Sequence, residues 1–250
     1  MKKQLAIMLT LIFAISLLAA CGGNGSTGDE NTPGSGTSTP ASDAGKNTDP
    51  PADPPAKSVA DVIDVSTLLT AADLTAILGQ SVEEKEWIDY AEISFITAAV
   101  FESEDYTFDN QLAQEAGWDK DDWGDSDTVG EKGWEDYIQR YEQSLADKAA
   151  RGIHTQTVGD TEVIINIVKV DMLHDATAYL QEGYGFGQWL LYVFYGDYKL
   201  MMTLGNQVYS LDEADIEAAN HNSEDEIAWK QDKLKEAGNL AVERLKAIIG

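Results

Sequence analysis

The sequence predicts an α+β protein whose single folded domain follows a cleaved signal and a disordered linker. Three observations support this prediction: an apolar N-terminal segment that ends in the only cysteine, a linker without large apolar side chains, and a longer region in which helical and strand patterns alternate. The order helix, strands, helix, strands, helix is typical of an antiparallel sheet packed by helices. We expect helices to cover mainly one side of that sheet.

The N-terminus has the pattern of a secretory signal, which covers residues 1–20. Lys2 and Lys3 precede an apolar run, and small residues lead to Cys21. The segment LAAC, residues 18–21, resembles the lipobox of bacterial lipoproteins, and this resemblance implies cleavage before the cysteine and attachment of a diacylglycerol to its sulfur. Because an exported chain with a single cysteine has no disulfide partner for it, we expect lipidation of Cys21. The alternative is an ordinary secretory signal that ends at a cysteine by chance.

Residues 21–57 are expected to form the lipidated cysteine and a disordered tether. From residue 22 onward no hydrophobic side chain of the tether is larger than alanine, and glycine, serine, threonine, proline and aspartate dominate. Such a segment cannot bury enough apolar surface to offset the loss of conformational entropy. Residues 58–250 fall in the size range of one domain and are long enough to bury a substantial core.

Capping and turn signals assign the first helices and strands in order. Thr70 is the expected N-cap of a short helix that Gly79 ends. Residues 81–102 are rich in β-forming side chains and indicate one or two strands. Helical spacing of apolar residues then appears over 135–151, and Gly152 stops it.

Two hairpins and a final helix complete the domain. We predict one hairpin over 154–170 with its turn at 159–160, and a second over 188–204 with its turn at 196–197. We expect both hairpins in one antiparallel sheet. Ser223 then begins a long helix through a capping box. The apolar stripe of that helix includes Ile227, Leu234, Ala241 and Ile248.

These motifs resemble those of a broad group of uncharacterised bacterial surface lipoproteins. The likeness lies in LLTAADLTAILG after a lipobox and spacer, a Val-Gly-Asp hairpin, LYVFYGDYKLMM and the final helix, and it covers most of residues 66–249. The domains of that group typically open with a Leu-Leu-Thr-x-x-acidic helix that ends in Leu-Gly. The resemblance implies a small α+β surface domain. Its motifs are caps and turns, so they indicate fold more than chemistry.

The sequence lacks the residue patterns of familiar catalytic sites and therefore predicts a protein that is not an enzyme. His154, His174 and His221 lie in no metal-binding or nucleophile motif, and the chain has no G-x-S-x-G elbow and no P-loop. Carboxylate pairs are frequent, but a glycosidase needs two at a set separation across a cleft. The catalytic alternative to a binding or accessory module is an extracytoplasmic hydrolase that uses carboxylates alone.

A glycine-rich and aromatic segment, GYGFGQW, occupies residues 183–189. It leads into a predicted strand, so it does not match a phosphate-binding loop that opens a helix. One interpretation is a loop whose aromatic side chains fold over the core. The other is an exposed aromatic platform of Tyr184, Phe186 and Trp189 that binds a sugar or another apolar ligand.

The segment WDKDDWGDSDTVGEKGW, residues 118–134, crowds carboxylates between tryptophans. It is not an EF-hand, because position 5 is Trp123 in one register and Val129 in another. Hard cations also accept irregular oxygen cages, so a calcium site within the loop 119–136 is one hypothesis and a solvated acidic loop is the other. Calcium is the one cofactor that the sequence suggests. Its proposed ligands are Asp119, Asp121, Asp125, Asp127 and Glu131.

The chain carries a formal net charge of −27, most of it in the folded domain. This charge excludes nucleic acid as a partner, because binding begins with neutralisation of phosphates, and it disfavours direct binding to anionic headgroups. Cationic peptides or basic protein surfaces are the favoured partners, although a solubility adaptation explains the acidity equally well. We therefore expect a lipid-anchored protein at the extracytoplasmic face of the bacterial membrane, whose domain binds an unidentified protein or small molecule.

Overall fold

The computed structural model describes residues 62–85, 95–116, 133–158, 161–183, 185–209 and 212–250. The predicted signal, Cys21 and the tether lie outside this part of the chain. Within it, a short 3-10 turn, Val65–Thr67, precedes four α-helices. The helices are α1 (Ala71–Leu78), α2 (Trp134–Arg151), α3 (Glu213–Asn220) and α4 (Glu224–Ile249).

Nine β-strands accompany the helices in the described ranges. They are β1 (Glu83–Lys85), β2 (Ile96–Glu102), β3 (Tyr106–Ala113), β4 (His154–Val158), β5 (Thr161–Ile165), β6 (Ile167–Asp171), β7 (Thr177–Glu182), β8 (Trp189–Tyr195) and β9 (Tyr198–Asn206). Seven of them form one antiparallel sheet in the order β1-β2-β3-β9-β8-β7-β6, and β4 and β5 form a separate hairpin. The predicted α+β fold, a single domain with an antiparallel sheet packed by helices, is confirmed.

The expectation that both predicted hairpins share one sheet is wrong. β8 and β9 pair around residues 196–197 as predicted, but β4 and β5 pair only with each other in the described structure. Val163 and Ile165 on the inner side of this hairpin pack against the core beneath α2. The chain leaves the hairpin at Asn166 and enters the large sheet with β6, which pairs with β7.

Helices cover both faces of the seven-stranded sheet, so the expectation of cover mainly on one side is wrong. α1 and α4 pack on one face, here called the α4 face, and α2 packs on the other, the α2 face. Along β9, Leu200 and Met202 belong to the core beneath α4, whereas Met201 between them packs beneath α2. Because side chains alternate along a strand, the consecutive apolar residues 200–202 of this central strand require cover on both sides.

The predicted starts of α1 and α4 are confirmed. Thr70 and Asp73 form a reciprocal capping box, and Ser223 Oγ accepts a hydrogen bond from the Glu226 N–H at 3.2 Å. An ion pair joins the two helices, because Arg244 donates to both carboxylate oxygens of Asp73 at 2.6 and 2.7 Å. None of the described helices has the length and apolar character that crossing a membrane requires.

Candidate functional site

Several residues that the sequence singled out lie outside the described ranges. They are Asp119, Asp121, Asp125, Asp127, Glu131 and Tyr184. Trp134, at the end of the acidic segment, opens α2, and its indole N–H donates to the carbonyl of Asp197 at 2.7 Å. Within the described ranges, no three His, Cys, Asp or Glu side chains are grouped so that they could hold a metal ion. The calcium hypothesis therefore stays a prediction.

Trp189 lies in the core beneath α4 and is only 3% exposed. The hypothesis of an exposed aromatic platform is therefore wrong for this residue. Trp189 pairs with Leu204 of β9, which belongs to the same core. Since paired residues of antiparallel strands point to the same face, the register of β8 turns the indole inward. Its Nε1 has no hydrogen-bond partner in the described structure.

Phe186 is half-buried and belongs to neither of the two apolar cores that the described residues form. Its φ is 52°, a left-handed conformation that is rare for a bulky side chain. Two hydrogen bonds hold this conformation. The Phe186 N–H donates to Asn220 Oδ1 at the end of α3, and the Phe186 carbonyl accepts from the N–H of Asn206 at 2.8 Å.

Lys230, a fully buried lysine on α4, bonds the loop of residues 185–188 that contains Phe186. Its ammonium donates to the Gly187 carbonyl at 3.0 Å, and to Oδ1 of Asn206 and of Asn222 at 2.5 and 2.6 Å. Glu226, one helical turn earlier, lies 3.4 Å away. Burial lowers the pKa of Lys230, and Glu226 opposes that effect. Because three close acceptors match the three N–H groups of the ammonium, its position is fixed.

The carbonyl of Gly187 connects Lys230 to the loop that contains Phe186. Besides Lys230, it accepts a hydrogen bond from Asn222 Nδ2 at 3.0 Å. Gly187 has a φ of 56°, and a Cβ there would lie 2.6 to 2.7 Å from amide atoms of Asn206 and Asn222. Glycine is therefore required at this position. We call Asn206, Asn220, Asn222 and Lys230 the amide–lysine cluster, which holds the loop in one conformation.

The helix that contacts Phe186 is acidic. α3 bonds the Phe186 N–H through Asn220, and Glu213, Asp215 and Glu217 are exposed along it. Glu217 stands nearly one turn before Asn220. An aromatic ring attracts a cation over its face, and nearby carboxylates raise the local concentration of cations. The arrangement can therefore bind a cationic group.

A second buried lysine, Lys199, lies on the α2 face, with no carboxylate partner among the described residues. Its ammonium donates to the hydroxyl of Tyr137 at 2.9 Å. It also lies 4.0 Å from the ring centre of Tyr141 and 5.2 Å from that of Tyr137. Burial lowers the pKa of Lys199 to about 7. This lysine therefore changes its charge near neutral pH.

Asp109 of β3 is a half-buried carboxyl group on the α2 face. Burial raises its pKa to about 7, and the negative charge of Glu102 on β2 adds to the effect. Asp109 pairs with Val100, which lies two residues from Glu102, so both carboxyl groups are on the same face. A hydrolase that uses carboxylates alone needs an acidic group with a raised pKa, and among the described residues Asp109 is such a group.

Both buried lysines occupy positions of an apolar pattern, and this is the sequence signal that could have identified them. Lys230 stands between Ile227 and Leu234 with the three- and four-residue spacing of the buried stripe of α4. Lys199 stands two residues before Met201 on the face of β9 that packs beneath α2. A charged side chain at such a position indicates a buried charge.

No family model matches this chain, and no curated protein sequence matches it. Among solved structures, the chain is similar to the extracellular domain of PknH from Mycobacterium tuberculosis, with 10% sequence identity and a TM-score of 0.33. The match covers 68% of this chain and 94% of the other chain. At this TM-score the likeness carries no argument about fold or function.

Proposed function

We propose that this chain is a lipid-anchored protein at the extracytoplasmic face of the bacterial membrane, and that its domain is a non-catalytic binding or accessory module for a cationic partner. The N-terminal signal that ends at Cys21, the only cysteine, supports the anchor. The conformation of Phe186 is the observation that carries the binding role. It combines a strained backbone with a rigid support and a ring outside the core.

The strained backbone at Phe186 has a cost that burial of its ring in a core does not offset. A left-handed backbone at a bulky residue costs about 1 to 2 kcal/mol. The ring of Phe186 packs into neither described core, so burial in a core does not offset this cost. Strain of this kind concentrates at ligand-binding positions. The amide–lysine cluster fixes the loop before any ligand arrives, and this lowers the entropy that binding would cost.

A cationic partner fits the surroundings of Phe186. A cation over an aromatic face gains about 0.5 to 2 kcal/mol. The exposed carboxylates of α3 and the formal net charge of −27 attract the same partner over a longer range. A peptide rich in lysine or arginine, or a protein with a basic patch, can use both effects.

The anchor is tested by Cys21→Ala. We expect the variant to leave the membrane fraction and to accumulate as the unprocessed precursor, because lipidation and the cleavage that accompanies it depend on this cysteine. Cell fractionation and mass spectrometry of the purified chain measure both outcomes. Membrane retention with normal processing would contradict the proposed anchor.

The binding role is tested with a fluorescent peptide of alternating lysine and glycine, whose Kd is measured by fluorescence anisotropy. We expect Phe186→Ala to weaken binding about fivefold, which corresponds to the loss of about 1 kcal/mol of cation–aromatic attraction. Ile249→Ala, at a residue that is 42% exposed at the end of α4, is the matched control. The same peptide with acetylated lysines should not bind. An equal Kd for the wild type and Phe186→Ala would contradict the role of the loop.

A further inference from the structure

The outer edge of β6 is open in the described structure. β6 is the last strand of the seven-stranded sheet, and no described strand pairs with its outer side. An open edge presents unpaired N–H and C=O groups on which another strand can form. Val168 of this strand is 44% exposed, and Leu173, two residues beyond its end, is 61% exposed.

The residues of this edge do little to block such pairing. Proteins commonly protect an edge with proline, a bulge or several charges. The segment 167–173 reads IVKVDML, so it contains no proline and only two charged residues, Lys169 and Asp171. These two are exposed and stand two residues apart, so they lie on the same face of the strand. A lysine and an aspartate in this arrangement complement a second copy of themselves.

We propose that two copies of this domain pair antiparallel through β6, about a two-fold axis at Val170, and form one continuous sheet. In this register Lys169 of each copy lies opposite Asp171 of the other. Val168 of each copy lies opposite Met172 of the other. The charged pairs therefore lie on one face of the sheet and the apolar pairs on the other.

Neighbouring registers bring like charges together. An axis at Lys169 places two lysines opposite each other, and an axis at Asp171 does the same with two aspartates. An axis between two residues would pair side chains from opposite faces, which the pleat does not allow. Opposite charges across a strand pair contribute roughly 0.2 to 1 kcal/mol each, and like charges destabilise the pair. Charge complementarity therefore selects the register centred on Val170.

The net charge of the domain opposes this association and determines how it depends on salt. Two chains that each carry a formal charge of −27 repel each other. At 0.15 M ionic strength the screening length is about 8 Å, so added salt weakens this repulsion and strengthens the pairing. Binding of a cationic partner at the same edge would instead weaken as salt is added, because salt screens the attraction. The pairing is independent of the site at Phe186.

The register is tested by cysteine cross-linking of the full chain in membranes. Residues opposite each other in antiparallel strands have Cα atoms about 4.5 to 5.5 Å apart, within the range of a disulfide. Val170→Cys, which lies opposite itself, should therefore form a product of twice the mass under mild oxidation. Val168→Cys is the matched control, because its two copies lie four residues apart along the strand, about 13 Å. The parent chain, whose one cysteine is Cys21, gives the background.

The charges are tested in the Val170→Cys chain. Lys169→Asp should reduce the cross-linked fraction about fivefold, roughly the loss of two opposite-charge pairs, and addition of Asp171→Lys should restore it. A second measurement, which leaves Val170 unchanged, mixes a Val168→Cys chain with a Met172→Cys chain and should yield the mixed dimer. Equal cross-linking of Val168→Cys and Val170→Cys would overturn the proposal. So would a charge exchange that does not restore the dimer, or a product with another protein in place of the second copy.

Discussion

Replacement of Lys199 by methionine isolates the cost of burying its charge. Methionine is apolar and flexible, so it can fill the space beside Tyr137 and Tyr141. The lysine is 6% exposed, and among the described residues one hydroxyl and two ring faces stabilise its ammonium. A buried charge without a counter-ion destabilises the folded state. We therefore expect Lys199→Met to stabilise the domain wherever the lysine of the unfolded chain is charged.

The pKa of Lys199 sets the magnitude of this effect. The difference between about 7 in the folded state and the ordinary value of 10.5 corresponds to at most about 5 kcal/mol. This pKa reflects burial alone. Attraction of the ammonium to the two ring faces offsets about 1 kcal/mol per ring, which leaves about 3 kcal/mol and a correspondingly smaller fall of the pKa. Between the two pKa values the unfolded state binds more protons than the folded state. The free energy of unfolding of the wild type therefore rises with pH over this range.

Urea unfolding followed by tryptophan fluorescence measures the difference between the variant and the wild type. We expect Lys199→Met to be more stable by about 3 kcal/mol near pH 6, and the difference to fall below about 1 kcal/mol near pH 10. Comparison at each pH removes the contribution of other titrating groups. Lys246→Met is the control, because it removes the same charge from an exposed position on α4.

Two results would refute this reasoning. A difference that stays constant between about pH 6 and pH 10 would show that Lys199 does not titrate in that range. A variant that is less stable than the wild type near pH 6 would show that attraction to the two tyrosine rings outweighs the cost of burial.

Three further predictions concern other parts of the molecule. Gly187→Ala places a Cβ 2.6 to 2.7 Å from amide atoms of Asn222, so we expect a loss of about 2 kcal/mol or more in urea unfolding, and a smaller loss for Gly185→Ala. Asp73→Asn removes the carboxylate that binds Arg244. Because that pairing lowers the pKa of Asp73, its contribution is present above the ordinary value of 3.8 and is lost as the pH falls below it. The variant should therefore lose about 1 to 3 kcal/mol at pH 7, and this loss should shrink steadily as the pH falls from about 4 to about 2. For the calcium hypothesis, the melting temperature should rise in millimolar calcium relative to chelator but not in magnesium; an equal response to both ions would favour a solvated acidic loop.

Helix ends could be predicted from the sequence because their signals are local. The caps at Thr70 and Ser223 bond to residues three positions away, and Gly79 takes the left-handed conformation that ends α1, with a φ of 73°. Each of these features depends on a few neighbouring residues, so the local sequence is sufficient to predict it. The alternation of such segments was also sufficient to predict the fold class.

Features that depend on distant packing could not be predicted in the same way. The face that Trp189 occupies depends on the register of β8 with β9, and a shift of one residue would reverse it. The burial of Lys199 depends on α2, which begins more than 60 residues earlier in the chain. β3, β7 and α3 gave no sequence signal strong enough to be predicted. Their short segments mix polar and apolar residues, and their neighbours in the fold determine their structure.

The most direct test of the binding role is to locate the bound lysine peptide by NMR. We predict that titration shifts the backbone amide signals of residues 185–188 and of Asn206 and Asn220, which bond the loop. Phe186→Ala should move the midpoint of this titration to an about fivefold higher peptide concentration and leave the rest of the spectrum in place. Shifts that spread over other acidic surfaces while the loop signals stay unchanged would contradict the account.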